Sequence, residues 1–420
     1  MGVLEALCRR AGIPLTNDPA EADVFWFSLG DPDGLPEMRK AYLLADGRPL
    51  IMGGPQGFHG PSYLAWCDAI VVGEGLEFIE AWGRDPMEAI ELPCVMTRES
   101  YAAGTMIDPS TRVPYFESPI VRLPGGKRFS YLAGCGCHRK CHFCGISWSQ
   151  PYSNCPQFLI DRAVAHVKSI KGAKLILATN DSIPRVPDKV LTAQSLTVAQ
   201  YIAQPGRYRA RMIRFGVEGL TEQARRRWGK PIKTEDIQRT VLISEIKNQE
   251  IELFFLAGYP GWQRETFEDD LQSLLPRSLA FYPRIVVKLT YFEYMPHTPM
   301  GRGAIVPAYI SRKETYAAAN AQNKRTRVLP HRSSGRSMRR SVLYRCTPGE
   351  AVALGPDKSG DKDRPESGAE FVERAKAKGL GHLLEPAGDL PCDIVRTPYS
   401  RQARNLATKR WGAPPKTKGQ

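Results

Sequence analysis

The sequence predicts an α/β protein in two parts: a small Rossmann-like parallel unit, then a partial (β/α)6 TIM-like barrel with a basic region behind it. Three observations predict it. Short apolar runs ending in Gly-rich turns alternate with segments of helical period along residues 1–95 and again along 128–322. Between them, over 96–127, periodicity fades among Pro and Gly. The 420 residues, 42% of them hydrophobic, suffice for one large core and a smaller one. Strand–helix alternation builds parallel sheets because a parallel connection needs a long crossover, usually a helix.

In the first unit, VLEALCRRAG has helical spacing and a Gly stop, ADVFWFSLGD is a strand running into turn residues, and LPEMRKAYLLADG is helical again. RPLIMGGPQ and DAIVVGEG are two more strands. Their following loops, at 28–32, 53–57 and 73–75, should gather at the carboxyl edge of the sheet, where such folds bind ligands. In the second series FSYLAG, KLILATND, MIRFGVEG, IELFFLAGYPG and RIVVKLTYFEYMP are strand-like, and DRAVAHVKSI, TEDIQRTVLISEIKNQ and ETFEDDLQSLL are helical. The polar run at 355–368 is expected to be a loop.

No stretch of 18 apolar residues occurs, and the N-terminus lacks an apolar core followed by a small-residue cleavage site. The expectation is a cytoplasmic protein with no membrane partner. In a reducing compartment the ten cysteines are free thiols or metal ligands. The net charge of +14 is concentrated: Lys324 to Arg345 holds eight Lys or Arg and no acid, and Arg401 to Gln420 holds six and none. Such a surface attracts phosphate, so a nucleic acid or nucleotide is the expected partner, with Arg336, Arg339, Arg340, Lys409 and Arg410 as its contacts. The alternative for the last twenty residues is a solvated tail.

The chemistry concentrates in YLAGCGCHRKCHFCGISW, residues 131–148. Cys137, Cys141 and Cys144 form C-x3-C-x2-C directly after the first strand of the second series. Three thiolates on one loop can hold three irons of a [4Fe–4S] cube and leave the fourth open to a ligand. A structural zinc wants four protein ligands, and that reading recruits Cys135, His138, His142 or Cys155. His138, Arg139, Lys140 and His142 either tune a cluster electrostatically or are simply solvated.

The loop, with Phe143 just before its third cysteine, resembles the signature of the radical S-adenosylmethionine superfamily. RFGVEGLTEQARRRWGKPIKTEDI (214–237) resembles that superfamily's fourth strand and helix, IELFFLAGYPGWQRETFEDD (251–270) its fifth strand and turn, and YFEYMPHTPMG (291–301) its sixth strand and closing loop. The resemblance implies a [4Fe–4S] cluster that chelates S-adenosylmethionine. One electron from an external flavodoxin- or ferredoxin-type reductant then releases a 5′-deoxyadenosyl radical. It implies that Phe143 lines the adenine pocket, that Glu218 binds the ribose or α-amino group, and that the backbone at Gly258 and Gly261 approaches the adenine. Asn180 and Asp181 are candidates for the methionine end or the substrate; otherwise they cap a turn. For Glu218 the other account is an ion pair with one of Arg225 to Arg227.

The first unit resembles the cobalamin-binding domains of some radical enzymes, truncated at its N-terminus. It has no D-x-H-x-x-G loop, and its first strand is missing, which argues against bound cobalamin. Cys8, Cys67 and Cys94 fit buried thiols better than a second cluster. The resulting reading is a radical enzyme, an isomerase or transferase, that modifies a nucleotide or nucleic acid. One option is rearrangement of an aminoacyl-thymine in bacteriophage DNA. The rivals are a radical enzyme for a tRNA base, peptide or small metabolite, and a zinc-stabilised nucleic-acid-binding module.

Overall fold

The computed structural model describes residues 2–30, 35–178, 193–208, 210–259, 262, 266–276, 285–305, 326–330, 334–354, 368–387, 390–397, 402–403 and 405–406. The polar run expected as a loop at 355–368 lies outside them but for its last residue, Gly368.

Strands β1 (Phe25–Ser28), β2 (Leu50–Gly53) and β3 (Ala69–Val71) pair in parallel and in chain order, and β4 (Val95–Thr97) joins β3 antiparallel. Leu50, Ile51 and Met52 are all buried, as is every residue of β3, because both faces of this sheet are covered. On one face Ile51 and Val71 meet Leu7, Phe78 and Ile79 from the helices Gly2–Arg10 and Leu76–Arg84. On the other, Met38, Met52 and Ile70 join a core that continues through Trp228, Phe292, Tyr294, Met300, Val342 and Leu343. The two parts of the chain therefore share one apolar core.

Beyond β5 (Val121–Arg122), strand β6 (Arg128–Leu132) pairs in parallel with β9 (Lys174–Ala178). Between these two, β7 (Gly134–Cys135) and β8 (Ser153–Asn154) form a small antiparallel pair that presents the cysteine loop. A second sheet is parallel throughout and in chain order: β10 (Ala193–Leu196), β11 (Met212–Glu218), β12 (Glu250–Ala257), β13 (Ile285–Tyr291) and β14 (Thr326–Pro330). In β11 burial alternates: Ile213, Phe215 and Val217 are buried against Ile237, Val241 and Leu271 of the covering helices. Arg214, Gly216 and Glu218 take the opposite face. There Arg214 and Lys288 clamp Glu252 from neighbouring strands, at 2.6 and 2.8 Å. The sequence expectation of alternating strands and helices holds, with β10 and β14 as additions.

The connector between the two parts is pinned rather than loose: Ser110 bridges Gly73 of the first sheet's edge, and Ile107 bridges Val395 near the far end of the chain. The basic segment 324–345 also departs from expectation. It contributes β14 and the helix Ser334–Leu343, and it buries three of its arginines. Arg345 is 2% exposed and donates to the carbonyls of Leu383, Glu385, Gly301 and Gly303. No helix among the described residues is long and apolar enough to cross a membrane.

Candidate functional site

The cysteine loop is held from three sides. His142 N donates to Trp228 O at 2.9 Å, its Nδ1–H reaches Arg227 O at 2.8 Å, and Met300 N donates to His142 O at 3.1 Å. Trp148 Nε1 donates to Cys141 O, and Gly145 N to the thioether of Met295. His142 is thus a buried pin between loop and barrel. The solvated role allowed for it by the sequence is ruled out by this burial.

Cys137 and Cys141 are buried and Cys144 is half-buried. Burial pushes the Cys141 thiol up to about 12; Lys230 opposes this, and Cys144, Glu218 and Cys137 add to it. The other possible zinc ligands are engaged elsewhere. Cys135 donates to Glu74 Oε1 at 2.9 Å, Cys155 lies beside the Tyr131 hydroxyl, and His138 packs edge-on against Tyr152. Among the described residues no group of three or more His, Cys, Asp or Glu is arranged about one metal position. By donor chemistry the loop fits an iron–sulfur cluster that three thiolates hold on one side.

Glu218 ends β11 where the pairing register with β12 shifts, and its φ of 70° is unusual for a residue with a side chain. Its carboxylate meets Lys230 Nζ at 3.0 Å, with both side chains about one-sixth exposed. The alternative account, an ion pair with one of Arg225 to Arg227, is thus changed in its partner: the pair forms with Lys230. Arg225 turns inward instead and donates to Gly219 O, Leu220 O and Ile232 O. Burial pulls the Lys230 ammonium down, but Glu218, Cys141 and Cys144 together outweigh it, so its pKa is raised. The glycine of GVEG has a physical reason: a Cβ on Gly216 would run into Glu218 Oε1 and stand 2.8 Å from Lys230 Nζ. Gly229, at φ +72°, likewise lets its backbone press against Lys140 O and the His142 ring.

Phe143 meets Trp228 edge-on at 5.9 Å, and Trp228 meets Tyr259 at 4.3 Å. Gly258 precedes Tyr259 at the end of β12 with φ +72°. These residues form an aromatic row beside the loop. The buried indole N–H of Trp228 has no hydrogen-bond partner among the described residues. Sequence reasoning missed Trp228 and Lys230, although both stand in the quoted segment WGKPIK.

The three loops of the first sheet do gather. Ser28, Gly53, Gly54, Gly73 and Gly75 line a cavity of about 670 Å3 together with Cys135, Ile146 and Ser149 from the cysteine loop. Asn180, Asp181, Gly261, Lys409 and Arg410 lie outside the described residues, as does the side chain of Arg336. Arg339 and Arg340 are corrected: both are buried, and Arg340 donates to Glu293 at 2.9 Å, so neither presents its charge to a phosphate backbone at the surface.

No protein family's sequence profile matches the chain, and no curated protein matches it. Its fold is similar to that of solved radical S-adenosylmethionine enzymes. The methyltransferase TsrM from Kitasatospora setae, solved with its tryptophan substrate and the analogue aza-SAM, matches with a TM-score of 0.52 at 13% identity, over 68% of this chain and 65% of TsrM. The cobalamin-dependent radical enzyme OxsB, solved with aqua-cobalamin and S-adenosylmethionine, matches at a TM-score of 0.46 and 12% identity, over 66% of this chain and 45% of OxsB. At such identities the fold alone is shared, and this chain spans less than two thirds of either protein.

Proposed function

We propose that this chain is a radical S-adenosylmethionine enzyme acting on a nucleotide or nucleic acid, with its parallel strands curved into the partial barrel of that superfamily. The observation that carries the reading is the packing of the cysteine loop, through His142 and Lys140, on the turn Arg227–Gly229 that leads into Lys230, whose ammonium pairs with Glu218 at the end of a strand. A [4Fe–4S] cluster on those cysteines, with S-adenosylmethionine bound, supplies a carbon-centred radical for hydrogen abstraction. The chain's own residues bind, orient and exclude water. Glu218 accepts from the ammonium or ribose hydroxyls, Lys230 offers a donor for the carboxylate, and Trp228, Phe143 and Tyr259 keep the adenine side dry.

The substrate class rests on the charge excess, with Arg336, Lys409 and Arg410 as the remaining phosphate contacts. The reaction we favour is a rearrangement, for which an aminoacyl-thymine of bacteriophage DNA is one candidate substrate, because Cys346 and Cys392 stand apart and no cysteine block for further clusters follows the barrel. A flavodoxin- or ferredoxin-type protein is the reductant, and the cytoplasm is the setting.

Anaerobic reconstitution followed by iron, sulfide and deoxyadenosine analysis with dithionite tests the reading. Ala variants of Cys137, Cys141 and Cys144 should lose the brown chromophore, and those of Cys135 and Cys155 should keep it. One zinc per chain without sulfide would overturn the reading. Salt-dependent retention on duplex DNA and tRNA tests the substrate class, and retention on neither favours a peptide or metabolite.

A further inference from the structure

The cavity between the first sheet and the cysteine loop has a lining of two unlike kinds. Trp26, Ile51 and Phe78 are apolar, whereas Glu293, Arg340 and His59 bring charge and polarity. Arg340 is 4% exposed at its side chain and Glu293 11%, and they meet at 2.9 Å. His59 is 5% exposed, and its Nδ1 has no hydrogen-bond partner among the described residues. This polar part of the lining abuts the reaction centre: a Cβ on Gly145, the residue after Cys144, would lie 3.4 Å from the His59 ring.

A ligand in the cavity adds to the partners of the Arg340–Glu293 pair and supplies the one that His59 Nδ1 lacks. We infer that the cavity binds an α-amino-acid group, its carboxylate on Arg340 and its ammonium on Glu293 and His59, with the body of the ligand on the apolar lining. The charges select this class. A phosphate would face repulsion from Glu293 and Glu74, a plain amine would bring no acid to Arg340, and a zwitterion matches both charges at the observed spacing. The volume lies within the usual range for small-ligand sites, ~300–1,000 Å3. Binding in this sense puts the α-carbon next to the loop carrying Cys144. The inference deepens the proposed function by naming its substrate class, and it rests on that reading for the chemistry alone.

The test is calorimetric binding to the full-length, reconstituted protein. The probes are free L-phenylalanine, the nucleoside 5-[(carboxymethylamino)methyl]-2′-deoxyuridine, and the same nucleoside lacking its carboxylate. Loss of the carboxylate should weaken binding about tenfold or more, since a charge-assisted hydrogen bond is lost. Tight binding of phenylalanine would make a free amino acid the source, and tight binding of the nucleoside alone would make a substituted base the source; either supports the class. Arg340→Met should abolish the discrimination. Should that variant misfold, Gly53→Leu serves: a Cβ there meets only Val71 Cβ at 3.9 Å, so the backbone accepts it while the side chain fills the cavity. It should keep wild-type iron content and lose probe binding. Equal affinity with and without the carboxylate, binding unchanged in Gly53→Leu, or tight hydroxocobalamin binding that Gly53→Leu removes would each overturn the inference. A wild type that binds the probe yet cleaves no S-adenosylmethionine would sink the functional reading and leave this site standing.

Discussion

Replacing Glu218 separates two effects that the structure superposes at one residue: a buried charge pair and a strained backbone. The carboxylate and Lys230 Nζ lie 3.0 Å apart with side chains 15% and 16% exposed. Removing one member of a fully buried pair costs ~3–5 kcal/mol, and the residual exposure here brings the expectation for Glu218→Gln to about 2–3 kcal/mol. Glu218→Gly loses the same pair but relieves the left-handed φ of 70°, a strain worth ~1–2 kcal/mol, offset in part by the flexibility of glycine in the unfolded chain. The glycine variant should therefore be about 1 kcal/mol more stable than the glutamine variant. Gly216→Ala supplies the third corner, because its methyl group would occupy the space of the pair itself. In the wild type it should destabilise by about 1–3 kcal/mol, and in the Glu218→Gly background by under ~0.5 kcal/mol. Urea denaturation of the apo-protein at pH 7.5 measures all four. Equal stability of the Gln and Gly variants, with Gly216→Ala costing the same in both backgrounds, would refute both the strain and the coupling.

Three further outcomes are expected. Burial, and then the charge of His297, push His59 down to about 3 from its ordinary 6.5, so the unfolded chain takes up a proton that the folded one refuses. Stability should then be complete above pH 6.5 and fall by about 1.4 kcal/mol per unit as the pH drops toward 3, a slope that His59→Phe removes in urea titrations at pH 7, 6 and 5. Trp228→Ala should cost about 3–5 kcal/mol and slow cluster reconstitution, measured by the brown absorbance, because Trp228 is fully buried and contacts both Phe143 and Tyr259. Removing residues 401–420 should lower the salt slope of duplex binding by about 0.9 for each phosphate the tail neutralises, and an unchanged slope would show that the tail touches no phosphate.

The sequence by itself determined what short-range pattern encodes. Apolar runs located β1, β2, β3, β6, β9, β11, β12 and β13; they are continuous where both faces are covered, as in β2 and β3, and alternate with polar residues where one face is not, as in β11. The C-x3-C-x2-C spacing located the loop, because three ligands on one turn need no tertiary information. AQSL of β10 and TRVLP of β14 escaped because neither is an apolar run; their places come from parallel pairing with β11 and β13. Only the tertiary structure decided which charges are partners. Glu218 chose Lys230 over the nearer arginines because helix Glu222–Arg227 turns Arg225 onto backbone carbonyls, and the following turn carries Lys230 back to the strand end. Arg340 and Arg345 count as surface charge in any composition. Folding buries them because Glu293 and a set of carbonyls forty residues or so away in the chain supply the hydrogen bonds that a buried guanidinium requires. Pairing of that kind depends on contacts between distant segments, and no local pattern records it.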